Sequence, residues 1–119
     1  MLDLEATCAL IERLYRAFND RDLDTTLASL ASDVDWPNGM EGGRVYGRDG
    51  VREYWTRQWV VLDPRVTPVA IAVDPDGRVN VLVHQQVYET NGQLVVDHHV
   101  RHVYELTGDL VQRMEIRPA

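Results

Sequence analysis

With 119 residues, 45% hydrophobic and 26% charged, the chain is long enough to bury one core without disulfides or a structural metal. A formal net charge of −7 and the lack of any Lys/Arg run exclude a nucleic-acid surface, because phosphate binding needs clustered cations. The single cysteine, Cys8, excludes an intramolecular disulfide and a multi-cysteine zinc site, and the longest apolar stretches fall far short of the roughly 20 residues that span a bilayer.

The opening Met1–Glu5 is acidic where a secretory signal is basic and then apolar, so a cytoplasmic location and a single domain over 1–119 are expected. From Asp3 to Asn19, Leu4, Leu10/Ile11, Leu14/Tyr15 and Phe18 recur at three- and four-residue intervals, the stripe of a helix with one buried face. Asn19–Asp22 breaks it, and Asp22 can cap a second short helix with Leu23, Leu27 and Leu30 inside. Val34-Asp35-Trp36 reads as a brief strand stopped by Pro37, followed by an irregular glycine-bearing loop up to Tyr46. A third helix follows Gly47–Gly50, with Val51, Tyr54/Trp55 and Gln58/Trp59 at helical spacing.

Beyond Asp63-Pro64 the apolar period becomes two, with strands near 65–73, 78–90, 93–106 and 110–117. Turn signals at 74–77, Asn91-Gly92 and 107–109 join them as antiparallel neighbours. Helices first and sheet afterwards predict an α+β fold with the helices on one face of the sheet.

A two-residue loop at Asn91-Gly92 sets a register in which Gln85 faces His98, Val81 faces His102 and Val79 faces Tyr104. That face is mostly aliphatic. Pairing Leu106 with Leu110 adds Gln112, Met114 and Ile116 to it and puts Val111, Arg113 and Glu115 outside. Gln85, His98, His102, Tyr104 and Gln112 are then polar groups on an inward face, and leaving one unpartnered costs about 1–3 kcal/mol. They must bond one another, water or a ligand, so a satisfied core network and a functional pocket are both open.

The helical hairpin, Ser32-Asp33-Val34-Asp35-Trp36-Pro37, the stretch Tyr46–Trp55 and the terminal hairpin 102–114 resemble the nuclear transport factor 2-like superfamily, in its SnoaL-like and ketosteroid-isomerase-like branch. The resemblance implies a cone-shaped α+β barrel, a curved antiparallel sheet packed on three N-terminal helices (cystatin-like), with an open end that admits a small, mostly apolar molecule. It also implies a homodimer, for which the outer face with Leu82, Tyr88, Val95 and Val103 is available. Members include isomerases, cyclases, dehydratases, epoxide hydrolases and non-catalytic binders, so fold alone does not choose. The general-base aspartate of the ketosteroid isomerases falls on Trp36 here, their first-helix tyrosine on or beside Leu14 with Tyr15 one residue off, and their protonated aspartate on His102. A steroid isomerase is therefore not expected, and Asp35, beside the base position, points to the other face of its strand.

The catalytic candidates are His102, Tyr104 and His98; a histidine with an unperturbed pKa near 6.5 suits proton transfer, and a tyrosine O–H suits a developing oxyanion. Tyr15, Trp36, Trp55, Trp59, Gln85, Gln112 and Met114 are the expected ligand wall. His98 and His102 are about 13 Å apart along a strand and His99 faces the other way, so the three are not a metal motif. His84 opposite His99, with Asp97 near, reads as a solvated or interface cluster, and neither metal nor cofactor is expected. The glycines at 39, 42, 43 and 47 match no phosphate-binding spacing and read as a lid or turn.

Overall fold

The computed structural model describes residues 3–119; Met1 and Leu2, read above with the acidic N-terminus, lie outside them. Helix α1, Leu4–Asn19, starts where the Asp3 carboxylate accepts the Ala6 N–H at 2.7 Å, and it buries Leu10, Ile11, Leu14 and Tyr15. Helix α2, Leu23–Ala28, is capped the same way by Asp22 on the Thr25 N–H. Leu30 does not extend α2 as expected. The Val111 N–H already binds Ser29 O at 2.9 Å, and Leu30 opens strand β1, Leu30–Pro37, at 0% exposure.

The irregular loop ends in a strand absent from the sequence reading: β2, Arg44–Tyr46, folds back antiparallel on β1, pairing Trp36 with Val45 and Pro37 with Arg44. Helix α3 runs Gly47–Val61, and β3, Leu62–Val73, follows at once, three residues earlier than the period suggests. Pro64 and Pro68 sit inside β3 because it is an edge strand, where a missing N–H breaks no inner ladder. Strands β4, Val79–Glu89, β5, Leu94–Thr107, and β6, Leu110–Pro118, complete the expected meander.

The sheet order is β2-β1-β6-β5-β4-β3, with β1 parallel to β6 and every other pairing antiparallel. It is a curved, open six-stranded sheet with the helices against its concave face, and the core is built from Ile11, Leu14, Val51, Trp55, Val81 and Val83.

The predicted β4–β5 register holds, with Gln85 opposite His98, Val81 opposite His102 and Val79 opposite Tyr104. The turn itself differs. Glu89 N–H donates to Gln93 O, so the loop has three residues, Thr90-Asn91-Gly92, and Gly92 takes φ 92°. Val95 then bulges between Val87↔Val96 and Tyr88↔Leu94 and restores the count. The β5–β6 hairpin departs from expectation too. Thr107 pairs with Leu110, Gln112 is the extra residue of a bulge, and behind it Tyr104 meets Met114 and His102 meets Ile116. Met114 and Ile116 keep their expected parity, but Val111 turns inward to 0% exposure instead of outward.

The outer face is also less apolar than expected. Val95 reaches the interior cavity described below. Val103 is 3% exposed, and its cross-strand neighbours Asn80 and Glu115 engage Arg101, Arg113 and Arg117. Of the four residues offered for a dimer, Leu82 and Tyr88 are half-buried and Val95, though it lines the cavity, stays 45% exposed.

Candidate functional site

Three side chains from α1 and β5 form a buried hydrogen-bonded chain. Tyr104 O–H donates to the Tyr15 hydroxyl at 2.8 Å, and Tyr15 O–H lies 2.8 Å from His102 Nδ1. Helix α1 presents Leu14 and Tyr15 to the sheet because they share its apolar stripe. Strand β5 presents His102 and Tyr104 together because residues two apart share a face.

Burial sets the protonation. It pushes the His102 pKa down to about 4 and raises both tyrosine hydroxyls above their ordinary value of 10.0. At neutral pH all three groups are therefore uncharged. Tyr104 donates to the Tyr15 oxygen, which leaves the Tyr15 O–H to donate to Nδ1 and assigns the one proton of the neutral imidazole to Nε2. Nε2 has no partner among the described residues and is not sealed off as Trp59 Nε1 is; His102 lines an interior cavity of about 540 Å³. The arrangement is a preorganised neutral N–H donor, backed by two hydroxyls, facing a half-open, mostly apolar cavity.

That volume falls in the range of small-molecule sites, about 300–1,000 Å³. Its walls are mainly Leu14, Trp36, Trp55, Val66, Val87 and Met114. Trp36 meets Trp55 edge-on with centroids 5.4 Å apart and stands 6.4 Å from Tyr104, which fixes the wall beside the hydrogen-bonded chain. No Asp, Glu, Lys or Arg lines the cavity among the described residues. The other titratable groups on its wall besides the chain are His98 and Tyr54. His98 lies at the exposed end of the sheet, where His98 Nε2 is 2.8 Å from Gln85 Oε1.

Of the expected residues, His102, Tyr104, His98, Tyr15, Trp36, Trp55, Gln85 and Met114 all line this one cavity. Two do not. Trp59 lies behind the wall, stacked on Trp55 at 6.1 Å and under the Arg21 guanidinium at 4.9 Å, because it follows Trp55 by four residues on the helix side turned toward Phe18. Gln112, displaced by its bulge, donates to Asp33 Oδ1 and accepts from Thr107 Oγ1 instead. Asp35 faces away, as expected, and holds Arg44 and Arg113. On the outer face His84 stacks on His99 at 4.8 Å and contacts Asp97.

Tyr54, Gln58 and Met40, which are not among the expected wall residues, also line the cavity. Tyr54 and Gln58 stand four apart on α3, a spacing that places both on one helix face. The Tyr54 hydroxyl accepts the Gly39 N–H at 3.0 Å and so ties the loop 38–43 over the cavity. Arg57 pairs with Glu41 on the same loop, and Met40 closes in from it.

The sequence matches the model of the SnoaL-like domain over residues 11–114. The chain belongs to the SnoaL-like family. Within the nuclear transport factor 2-like superfamily, this SnoaL-like chain is similar to an NTF2-like protein of unknown function from Burkholderia pseudomallei, at 26% identity and TM-score 0.81, over 96% of this chain and 91% of that one. It is equally similar to TerC, co-crystallised with polyporic acid, at 26% identity and TM-score 0.81 over 96% and 92%. A putative polyketide cyclase from Xanthomonas campestris shares the fold at 22% identity and TM-score 0.76, over 94% and 89%. No curated protein sequence matches this SnoaL-like chain.

Proposed function

We propose that this SnoaL-like protein binds a small, mostly apolar carbonyl compound and promotes its enolisation, with the carbonyl oxygen accepting the His102 Nε2–H. The observation that carries the reading is the Tyr104–Tyr15–His102 chain, neutral and fully bonded on one side, presenting its single free N–H to an apolar cavity. As negative charge grows on the oxygen, the donor needs no reorganisation, and the apolar walls around it strengthen the contact. His102 itself is too weakly basic, with its pKa near 4, to remove a proton at neutral pH. His98 is the other imidazole on the wall, and its Nδ1 is free to take the α-proton once Nε2 donates to Gln85 Oε1. Substrates with an already acidic methylene fit such a site: aldol closure, double-bond migration and loss of water all begin from the enolate. That a 26% identical relative was co-crystallised with polyporic acid supports a small cyclic ligand.

Exchange of the α-protons of 2-tetralone in D2O, followed by proton NMR, tests the proposal. The wild-type protein is expected to accelerate exchange, and His102→Leu, folded by circular dichroism, to lose about 100-fold or more, the usual cost of one oxyanion donor. Equal exchange by the two proteins refutes the role of His102. A second reading, ligand binding without turnover, is favoured by the lack of any carboxylate on the cavity wall among the described residues. It predicts saturable binding, by quenching of tryptophan fluorescence, with no exchange above buffer.

A further inference from the structure

Helix α3 brings a second polar group to the cavity wall. Tyr54 is 4% exposed, and its hydroxyl oxygen accepts the Gly39 N–H at 3.0 Å from the loop 38–43. Gln58, one turn further along the helix, directs its Nε2 at the same oxygen from 3.4 Å. Both neighbours act as donors, so neither takes the tyrosine's own proton. Turning the Gln58 amide round would not change this, because 3.4 Å lies beyond the roughly 2.5–3.0 Å of an O–H···O hydrogen bond. The Tyr54 O–H therefore has no acceptor among the described residues.

That proton is retained at neutral pH. Burial raises the Tyr54 pKa above its ordinary 10.0, and the backbone N–H groups of Gly39 and Met40 draw it down by less. The bond from Gly39 also polarises the hydroxyl as a donor. Leaving a buried hydroxyl proton without an acceptor is costly, so the contents of the cavity have to supply one.

Gly39, Gln58 and Ile116, the residues around this hydroxyl, line the main cavity with Tyr54 itself. A Cβ placed on Gly39 would stand 3.6 Å from Tyr54 Oη and 3.8 Å from Ile116 Cδ1, which sets the hydroxyl near Ile116. Ile116 is in turn the cross-strand partner of His102. The Tyr54 O–H and the His102 Nε2–H are thus two neutral donors near one side chain of the same wall, and no carboxylate or cation stands beside them on it among the described residues.

Resting on the reading that a ligand carbonyl accepts from His102, we propose that the ligand carries a second oxygen acceptor, a carbonyl or an ether, which takes the Tyr54 O–H. Tyr54 is then a binding residue that separates a dioxygenated ring compound from one with a single carbonyl.

Calorimetric titrations of the wild type, Tyr54→Phe and Arg57→Gln with 2-tetralone and its 5-, 6-, 7- and 8-methoxy derivatives test this. The isomer whose ether oxygen reaches Tyr54 is expected to bind the wild type about fivefold tighter than 2-tetralone or better, and Tyr54→Phe to cut that gain below twofold. Tyr54→Phe also frees the Gly39 N–H, so Arg57→Gln serves as its control: it loosens the same loop by removing the ion pair with Glu41, keeps the hydroxyl, and should keep the gain. Tyr54→Met gives the same comparison should Tyr54→Phe melt early. With 2-tetralone bound by the wild type, three results overturn the inference and leave the His102 reading standing: no gain for any isomer, as when water alone satisfies the hydroxyl; a gain unchanged in the Tyr54 variants; or a gain lost equally in Arg57→Gln. Failure of the wild type to bind 2-tetralone takes down that reading and the inference together.

Discussion

Acid should destabilise this protein through one residue before it does so through its carboxylates. His102 is held neutral by burial, with a pKa lowered from 6.5 to about 4, so the unfolded chain binds a proton that the folded chain refuses across that interval. Stability contributed this way is complete above pH 6.5 and is lost as pH falls toward 4. The gap of about 2.5 in pKa, at 1.36 kcal/mol each, gives roughly 2 kcal/mol lost by pH 5 and roughly 3 kcal/mol by pH 4. Urea denaturation followed by tryptophan fluorescence at intervals between pH 7.5 and 4 measures it, with His102→Gln as the reference. The glutamine still accepts the Tyr15 hydroxyl but never charges, and every carboxylate is common to both proteins. Glu115, held down to about 2 by its bonds from Arg117 and Arg113, titrates below the window in both. The wild type should lose about 3 kcal/mol more than the variant by pH 4. Parallel curves, or a variant more acid-sensitive than the wild type, refute the picture of a buried neutral histidine.

Tyr15→Phe should cost more than Tyr104→Phe in urea midpoint. The first leaves His102 Nδ1 and the Tyr104 hydroxyl both unpartnered, at about 1–3 kcal/mol each, whereas the second removes a terminal donor and leaves Tyr15 bonded to His102; the reverse order would mean that the chain does not run through Tyr15. Gly47→Ala should lower stability by about 1 kcal/mol or more, because Gly47 sits at φ 77° and a Cβ there meets Ser32 O at 3.4 Å. An unchanged melting temperature by calorimetry would contradict it.

Much of the site was legible because it rests on parity. Gln85, His98, His102 and Tyr104 share a face by their spacing of two, and no turn detail moves them to the other side. Tyr15 was legible from its helical stripe, and Trp36 from its place before Pro37. What failed failed at bulges and at borders. The extra residue at Gln112 costs no pattern in the sequence, since an inward Val111 and an outward Gln112 read equally well one step out of phase. The bulge at Val95 hid because the longer loop before it restored every pair behind. Trp59 keeps helical spacing with Trp55, yet spacing cannot say which of two stacked rings faces a cavity and which faces Phe18. Strand β2, three residues long, depends on its pairing with β1 more than on its own residues, and Leu30 joined β1 because β6, far along the chain, supplies its partner.

The most direct test of the account is long-range proton–nitrogen NMR of His102 at pH 7, which reads its charge and tautomer. The account predicts a neutral ring protonated on Nε2, with Nδ1 an acceptor for Tyr15 and the Nε2 resonance shifting when 2-tetralone binds. A proton on Nδ1, or a charged imidazolium at neutral pH, would contradict it.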